Sequence, residues 1–258
     1  MSLTIKGEYL IDDEALEGKV ALITGASSGI GKAVSEKLAK AGFNLALAAR
    51  SEMNLKEVGK KLENTHGVKT LVLPTDVSKP EEVKETVKDT IEEFGVLDVL
   101  ISNAGVIKYG KIEDFSTADY KYMMETNCDG MFYCTREALP HLEESKGNLI
   151  YIGSFDANHP RSFNPIYAAS KWWTKGFAHS IESIVGKEGV AVTLINPSEV
   201  RTNIRSEKGN KYREKFDVGE VTEPKEVAEA VLFAVKQEEQ TTISEINLFR
   251  RNKLSDFF

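Results

Sequence analysis

The stretch Val20-Ala21-Leu22-Ile23-Thr24-Gly25-Ala26-Ser27-Ser28-Gly29-Ile30-Gly31 decides the fold of this chain. An apolar run of strand length leads into a turn with three glycines, and a segment of helical period follows directly. Glycine gives the turn backbone angles that other residues avoid and lets the main chain approach a pyrophosphate, which the N–H groups at the start of the helix attract. This order of strand, turn and helix predicts a dinucleotide-binding site.

The same turn has two other interpretations. A triphosphate-binding loop requires four residues between its first glycine and a Gly-Lys-Ser/Thr sequence. Five residues separate Gly25 from Gly31, and Ala33 offers no hydroxyl group for magnesium, so the spacing excludes that loop. An ordinary glycine-rich turn remains an alternative interpretation of this stretch when it is taken alone.

Apolar runs of strand length alternate with segments of helical period along the chain. The expected strands are Val20–Thr24, Leu45–Ala49, Thr70–Leu73, Leu97–Ser102, Asn148–Gly153, Val190–Ile195 and Ile243–Leu248. The expected helices are Ile30–Ala41, Leu55–Thr65, Glu81–Phe94, Ala118–Glu143, Ile166–Val185 and Pro224–Gln237. The alternation predicts an α/β fold, a single-domain doubly wound parallel sheet (Rossmann fold) of about seven strands flanked by helices, whose ligands bind beyond the carboxyl ends of the strands. No linker or repeat divides residues 19–258, and residues 1–18 are expected to be an N-terminal extension.

Charge and hydropathy restrict the partners. The chain of 258 residues has 33 Lys and Arg against 40 Asp and Glu, a net charge of −7 that opposes binding to nucleic acid. No apolar run approaches the roughly 18 residues of a membrane span, and the start of the chain lacks the pattern of a signal peptide. Cys128 and Cys134 have no second pair of ligands near them, so reduced buried thiols and no metal site are expected. We therefore expect a soluble, cytoplasmic protein that binds neither nucleic acid nor membrane.

A candidate acid/base pair lies in Tyr167-Ala168-Ala169-Ser170-Lys171, at the start of an expected helix. The four-residue step places the phenol and the ammonium group on one helical face. A tyrosine titrates near ~10, so it becomes a useful base at neutral pH only where a nearby positive charge favours its phenolate form. A Tyr–Lys pair is also common on helix surfaces, so the pair alone does not identify a site.

In combination, the motifs resemble the short-chain dehydrogenase/reductase family in order and spacing over most of the chain. They are the turn Thr24–Gly31, with three residues and then one between its glycines, Asn103-Ala104-Gly105 after the fourth expected strand, Asn127 in the long helix, Ser154 after the fifth strand, and Tyr167 with Lys171. The resemblance implies hydride transfer between a nicotinamide and the carbonyl or alcohol of a small substrate.

The resemblance also implies a role for each member of the catalytic set. Tyr167 gives or takes the proton, and Ser154 binds and polarises the substrate oxygen. Lys171 holds the nicotinamide ribose, and Asn127 holds a water molecule in a relay to the lysine. For the cofactor it implies contacts from Gly25, Ser28, Gly29, Ile30, Gly31, Asp76, Val77, Asn103, Ala104, Gly105, Pro197, Val200 and Thr202. Ser198 stands where the family usually has glycine. The family's substrate preference is therefore harder to transfer to this chain than its reaction.

Arg50-Ser51, after the second expected strand, indicates which dinucleotide is bound. A protein that prefers NAD usually has an acid there for the ribose 2′-hydroxyl group, whereas an arginine suits a 2′-phosphate. We therefore expect NADP(H), with Ser27 as a second phosphate contact and NAD(H) as the less favoured cofactor. A solvated surface arginine is the alternative.

The substrate side of the site is less determined. The resemblance implies that residues 203–223 cover the substrate. Arg161, Arg201 and Arg205 could bind an acidic substrate, but a solvated loop with charges of both signs is the favoured interpretation, and His159 has no partner at metal-ligand spacing.

Two other functions are alternatives for this chain, and self-association is expected. Reduction of acyl chains on a carrier protein, as by a 3-oxoacyl-(acyl-carrier-protein) reductase, requires a basic docking surface. Arg136 is present, but Glu182 and Ser183 occupy positions that are usually basic in that branch. An NADP-sensing regulatory protein would typically lose the tyrosine or lysine that this chain retains.

Residues 118–143 and 166–185 are where the family forms homodimers and homotetramers, so self-association is expected.

Overall fold

The fold is a parallel seven-stranded sheet with helices on both faces. The computed structural model describes residues 16–162, 164–204, 211–237 and 240–256. The strands are β1 (Val20–Thr24), β2 (Asn44–Ala49), β3 (Thr70–Pro74), β4 (Val99–Ser102), β5 (Asn148–Ile152), β6 (Ala191–Pro197) and β7 (Glu245–Leu248). They lie in the order β3-β2-β1-β4-β5-β6-β7, and all neighbours pair in parallel. The predicted doubly wound sheet is confirmed.

The helices are α1 (Gly29–Lys40), α2 (Glu52–His66), α3 (Pro80–Phe94), α4 (Thr117–Met124), α5 (Gly130–Ser145), α6 (Pro165–Val185), α7 (Tyr212–Lys215) and α8 (Pro224–Val235). Proline occupies the first turn of α3, α6 and α8, where no N–H partner is lost. Gly67 and Gly95 end α2 and α3 in the left-handed conformation, at φ 73° and 78°. These local signals account for the close agreement of most boundaries with the sequence.

Two apolar clusters, one on each face of the sheet, form the core. Side chains of α1, α2 and α8, such as Val34, Leu62 and Val231, pack with one set of strand residues. Side chains of α3, α5 and α6, such as Val87 and Leu142, pack with the other set. The chain changes face between β1 and β4, so a crevice opens beyond the carboxyl ends of these adjacent strands.

One expected helix is interrupted. Residues 118–143 fall into α4, a single π-helical turn at Glu125–Asp129, and α5. The side chain of Asn127, in that turn, both donates to and accepts from the main chain of Val106. A tertiary contact of this kind is invisible to helical periodicity, and π turns often occur at functional sites.

Parts of two expected segments are outside the described residues. These are residues 1–15 of the N-terminal extension and residues 205–210 of the covering segment, which include Arg205. The described part of the covering segment contains the short helix α7. Within the described ranges, no helix is both long and apolar enough to cross a lipid bilayer.

Candidate active site

The glycine-rich turn is built by close packing. Gly25 and Gly29 have φ values of +69° and +54°, which side chains rarely adopt. A methyl group at Gly31 would lie 2.3 Å from the carbonyl oxygen of Gly25, and one at Gly25 would lie 2.7 Å from Nδ2 of Asn103. The glycines are therefore required by the approach of main chain to main chain and to Asn103.

A cleft of about 250 Å³ opens at the N-terminus of α1. Ser28 is the N-cap, its side chain accepts no hydrogen bond from the helix, and the first turn contains no acidic residue. The cleft is lined by Ser27, Ser28, Gly29, Lys32, Arg201, Thr202, Asn203, Arg213 and Pro224. Unpaired helix N–H groups, hydroxyl groups and three cationic side chains suit a diphosphate. Ser27 thus lies at this cleft, whereas Ile30 packs against the core.

Asn103 connects the turn to the central strands. Its Nδ2 donates to the carbonyl oxygen of Thr24 at 2.7 Å, and its main-chain N–H and that of Ala104 both donate to Thr24 Oγ1 at 3.0 Å. These bonds hold the end of β4 against the end of β1, where the crevice opens. Gly105, which follows, is exposed and lies close to Asn127 and Lys171.

The residues that are expected to contact the adenosine follow the carboxyl ends of β2 and β3. Arg50 is exposed, and its Nη1 donates to Oη of Tyr122 in α4 at 3.1 Å. Ser51 is the N-cap of α2. Asp76 accepts hydrogen bonds from Ser78, and the buried Val77 lies next.

The segment after β6 forms the other wall of the crevice. Pro197 ends the strand, and Val200 forms an isolated bridge with Thr222. Thr202 is buried, its methyl group faces Gly29 across the crevice, and its carbonyl oxygen accepts the N–H of Arg213 at 2.9 Å. This bond joins α7 to the wall of the cleft.

Lys171 is a buried cation beside Tyr167. Its side chain is 4% exposed, its Nζ donates to the carbonyl oxygen of Ile152 at 3.0 Å, and it lies 5.7 Å from the centre of the Tyr167 ring. Burial lowers the pKa of Lys171 from 10.5 to about 8, while the Asp156 carboxylate acts in the opposite direction. Since Ile152 ends β5, the lysine connects the tyrosine helix to the strand that leads to Ser154.

Two hydrogen bonds position Ser154, one to its side chain and one from its main chain. Its Oγ accepts the N–H of Asp156 at 3.1 Å, and its own N–H donates to Oδ1 of Asn196 at 3.2 Å. Asn196 is fully buried, and its Nδ2 donates to Oε1 of Glu245 at 2.9 Å. The serine at the end of β5 is therefore held by residues of β6 and β7.

Glu245 is the centre of this supporting network. Lys175 forms an ion pair with it at 2.9 Å, and Asn158 also donates to it. Burial raises the pKa of Glu245, but the hydrogen bonds from Lys175, Asn158 and Asn247 outweigh burial and lower it to about 2. Sequence reasoning missed Asn196 and Glu245. Their sequence signal is weak, because β6 and β7 also contain the polar residues Thr193 and Asn247.

Asn127 lies close to Lys171. Its Oδ1 accepts the N–H of Val106 at 2.8 Å, and its Nδ2 donates to the Val106 carbonyl oxygen at 2.9 Å and to Ser170 Oγ at 3.1 Å. A methyl group at Gly105 would lie 3.5 Å from Asn127 Oδ1 and 3.8 Å from Lys171 Nζ. The second lone pair of Oδ1 can thus accept a bond in the space near the lysine.

Two of the cations expected on the substrate side, Arg161 and Arg201, are paired. Arg161 binds both oxygens of the buried Asp156, at 2.7 and 3.0 Å, and also Glu199 at 2.8 Å. Arg201 binds Glu223 at 2.8 Å. Ion pairs therefore connect the loop after Ser154 to the loop after β6. The solvated loop that the sequence favoured is not what the structure shows.

The two cysteines lie in the core, and one of the two tryptophans that follow Lys171 packs on another aromatic ring. Cys128 and Cys134 are buried and reduced, as expected, and burial raises the pKa of each thiol, to about 11 and about 12. Trp173 stacks on Phe177 at 4.7 Å between ring centres, and Trp172 is exposed. Across the described residues, no three His, Cys, Asp or Glu side chains come together as metal ligands would.

Comparisons with known proteins indicate the family of this chain. The family model described as short chain dehydrogenase matches residues 19–213. The chain is 36% identical over 234 residues to an uncharacterized oxidoreductase of Staphylococcus aureus, which covers 90% of this chain and 97% of the relative.

Two of the similar solved structures each cover 90% of this chain. An alcohol dehydrogenase from the archaeon Thermococcus sibiricus, complexed with 5-hydroxy-NADP, has a TM-score of 0.83, 30% identity and 96% of its own chain covered. A 3-ketoacyl-(acyl-carrier-protein) reductase from Brucella melitensis, complexed with NADH, has a TM-score of 0.80, 26% identity and 97% of its chain covered.

Proposed function

Since the chain belongs to the short-chain dehydrogenase family and is an oxidoreductase of that family, we propose that it uses NADP(H) to interconvert a carbonyl and an alcohol of a small substrate. The observation that carries the proposal is the position of Lys171. A buried ammonium group beside the Tyr167 ring, tied to the end of β5, is the arrangement that a phenol needs to exchange a proton with a substrate oxygen.

The cleft at α1 and the crevice between β1 and β4 fit a nicotinamide dinucleotide. The diphosphate would lie at the N-terminus of α1 between Ser28 and Thr202, where main-chain N–H groups and cations converge. Asp76 and Val77 would lie at the adenine, and Gly105 and Val200 toward the nicotinamide. The bound nicotinamide supplies or accepts the hydride.

The protein's own residues manage the proton and the developing charge. In reduction, Tyr167 donates its phenolic proton to the substrate oxygen as the carbonyl carbon receives hydride, which leaves an alcohol and a tyrosinate. Ser154 Oγ donates a hydrogen bond to the same oxygen. Lys171 stabilises the tyrosinate, which regains its proton from solvent through a water molecule held by Asn127 Oδ1. Oxidation follows the reverse order.

Arg50 supports NADP(H) over NAD(H). A guanidinium group at the end of β2, with no carboxylate in its place, can bind a ribose 2′-phosphate through two parallel charge-assisted hydrogen bonds. The NADH complex among the similar structures belongs to another protein, and the preference of this chain rests on Arg50.

A small substrate fits better than a carrier-bound acyl chain. The expected basic residue, Arg136, is paired with Glu137 at 2.7 Å, which reduces its value for docking an acidic carrier. A purely regulatory NADP sensor is disfavoured because Asn127, Ser154, Tyr167 and Lys171 are all retained.

Cofactor titration tests the proposal. NADPH, NADH and their oxidised forms are titrated into the wild-type protein and Arg50→Asp, with nicotinamide fluorescence and calorimetry as readouts. We expect tight NADPH binding that Arg50→Asp weakens by about 10- to 100-fold while NADH binding is retained. Equal binding of NADH and NADPH by the wild-type protein would contradict the NADP preference, and no binding of either would contradict the enzyme assignment.

A further inference from the structure

Arg50 is joined to a part of the chain that sequence motifs did not single out. Its Nη1 lies 3.1 Å from Oη of Tyr122, and its guanidinium carbon lies 5.8 Å from the centre of the Tyr122 ring. The two residues are 72 positions apart, at the end of β2 and in α4. The tyrosine therefore fixes the direction of an arginine that would otherwise be an exposed, flexible side chain.

A second cation, Lys108, lies on the same ring, but its surroundings differ from those of Arg50. Nζ of Lys108 is 5.6 Å from the centre of the Tyr122 ring and 3.0 Å from Oδ1 of Asp119. The hydrogen bond from Lys108 to Asp119 lowers the pKa of that carboxyl group. The charge of Lys108 is thus neutralised within the protein.

Arg50 is held without being neutralised. Over the described parts of the chain, the arginine forms no ion pair, and its hydrogen-bond partner is a neutral phenol. A guanidinium group has five N–H donors in a planar fork, so one bond to Tyr122 leaves the others available. An oriented arginine with full charge and unused donors is suited to a doubly ionised phosphate.

We propose that Tyr122 is a specificity-determining residue for the 2′-phosphate of the cofactor, acting by positioning Arg50. The phenol orients the guanidinium group before the cofactor binds, which reduces the side-chain entropy lost on binding. A carboxylate at the same position would orient Arg50 equally well but would cancel its charge. The proposal rests on the proposed NADP preference, which Arg50→Asp tests separately.

The test compares Tyr122→Phe with Tyr120→Phe. Tyr122→Phe keeps the ring and removes the hydroxyl group, whereas Tyr120 is an exposed tyrosine of the same helix, 46% accessible. Titration with NADPH and NADH, followed by nicotinamide fluorescence, is expected to show a Kd for NADPH raised about 3- to 10-fold in Tyr122→Phe. The Kd for NADH, and both Kd values of Tyr120→Phe, are expected to stay within about twofold of the wild-type values.

A double variant distinguishes positioning from a direct phosphate contact. If Tyr122 acts through Arg50, Tyr122→Phe has no further effect on NADPH binding in an Arg50→Ala background. A further loss in that background would overturn the positioning role. Equal losses for NADPH and NADH, or no loss for NADPH, would overturn the proposal.

These outcomes distinguish the role of Tyr122 from the preference for NADP(H). A strong effect of Arg50→Asp together with no effect of Tyr122→Phe contradicts the role of Tyr122 alone. Equal binding of NADPH and NADH by the wild-type protein contradicts the cofactor preference and the role of Tyr122 with it. Adenosine 2′,5′-bisphosphate and adenosine 5′-monophosphate, titrated by calorimetry, repeat the comparison without the nicotinamide.

Discussion

The ammonium group of Lys171 lies 5.7 Å from the centre of the Tyr167 ring, in a position that is 4% exposed to solvent. Burial lowers the pKa of this lysine to about 8 from 10.5, so the folded protein holds the charge at a cost in stability. An unfavourable buried charge beside a candidate proton donor indicates that function, rather than stability, retains it.

Lys171→Met is expected to stabilise the protein and to abolish turnover. Below pH 8 both the folded and unfolded states bind the lysine proton, and the full cost of burying the charge is present. Between about pH 8 and 10.5 the unfolded state keeps a proton that the folded state has released, so wild-type stability rises with pH. The stability advantage of Lys171→Met over the wild-type protein should therefore be largest below pH 8 and disappear near pH 10.5.

Urea unfolding as a function of pH checks this expectation. Lys175→Met is the matched control, because Lys175 lies on the same helix but is half-exposed and paired with Glu245 at 2.9 Å. The control should be less stable than the wild-type protein. A Lys171→Met variant that is also less stable below pH 8 would contradict the account of the buried charge.

Asn196→Ala should loosen Ser154. The substitution leaves the Ser154 N–H without its acceptor and removes a donor from Glu245, both in buried surroundings. The free energy of unfolding should fall by about 1–3 kcal/mol, and kcat should fall while NADPH affinity is kept. In a Ser154→Ala background, the same substitution should have no further effect on kcat. Asn148→Ala, at the other end of β5, is expected to change stability by no more than about 0.5 kcal/mol.

Glu245 should contribute to stability at neutral pH and lose its contribution in acid. Its pKa in the folded state is about 2 against 4.5 ordinarily, so the contribution is fully present above pH 4.5 and lost as the pH falls toward 2. The stability difference between the wild-type protein and Glu245→Gln should shrink over that range. Denaturation curves at several pH values measure it, with the exposed Glu85→Gln as control. A difference that does not depend on pH would exclude the depressed pKa.

Gly31→Ala and Gly176→Ala are expected to have opposite effects. A methyl group at Gly31 would lie 2.3 Å from the main-chain oxygen of Gly25, so the turn must distort, with a loss of about 1–3 kcal/mol and weaker NADPH binding. At Gly176, inside α6, no described atom beyond the chain neighbours and the helix's own backbone lies within 4 Å of the added methyl group. That variant should gain about 0.5–1 kcal/mol, as alanine favours the helix. Thermal unfolding and cofactor titration of both variants check the contrast.

Trp172→Arg is expected to disrupt self-association. Trp172 is 53% exposed on α6 and Phe132 is 40% exposed on α5, the helices whose outer faces the sequence indicated for assembly. Light scattering after gel filtration should report a homodimer or homotetramer for the wild-type protein and a smaller species for the variant. Glu57→Arg, at an exposed position of α2 outside both helices, is the control for charge alone. An unchanged mass in Trp172→Arg would place any interface elsewhere.

The sequence predicted the sheet and most helices because their signals are local. The apolar run at Val20–Thr24 and the glycines that follow determine β1 and the start of α1 without reference to the rest of the chain. The π turn at Asn127 and the bonds from Asn196 to Ser154 depend on contacts between distant segments, so periodicity could not reveal them. The same is true of Tyr122, which is one more residue of a short helix until Arg50 is placed beside it.

The most direct test of the central claim is NADPH consumption by the wild-type protein, Tyr167→Phe and Tyr120→Phe. Aldehydes, diketones, keto acids and sugars are offered as substrates, and NADPH binding is measured in parallel. We expect the wild-type protein and Tyr120→Phe to oxidise NADPH equally with at least one carbonyl. Tyr167→Phe should bind NADPH normally and be about 10²- to 10⁴-fold slower. Equal rates for Tyr167→Phe and the wild-type protein would contradict the assignment of Tyr167 as the proton donor.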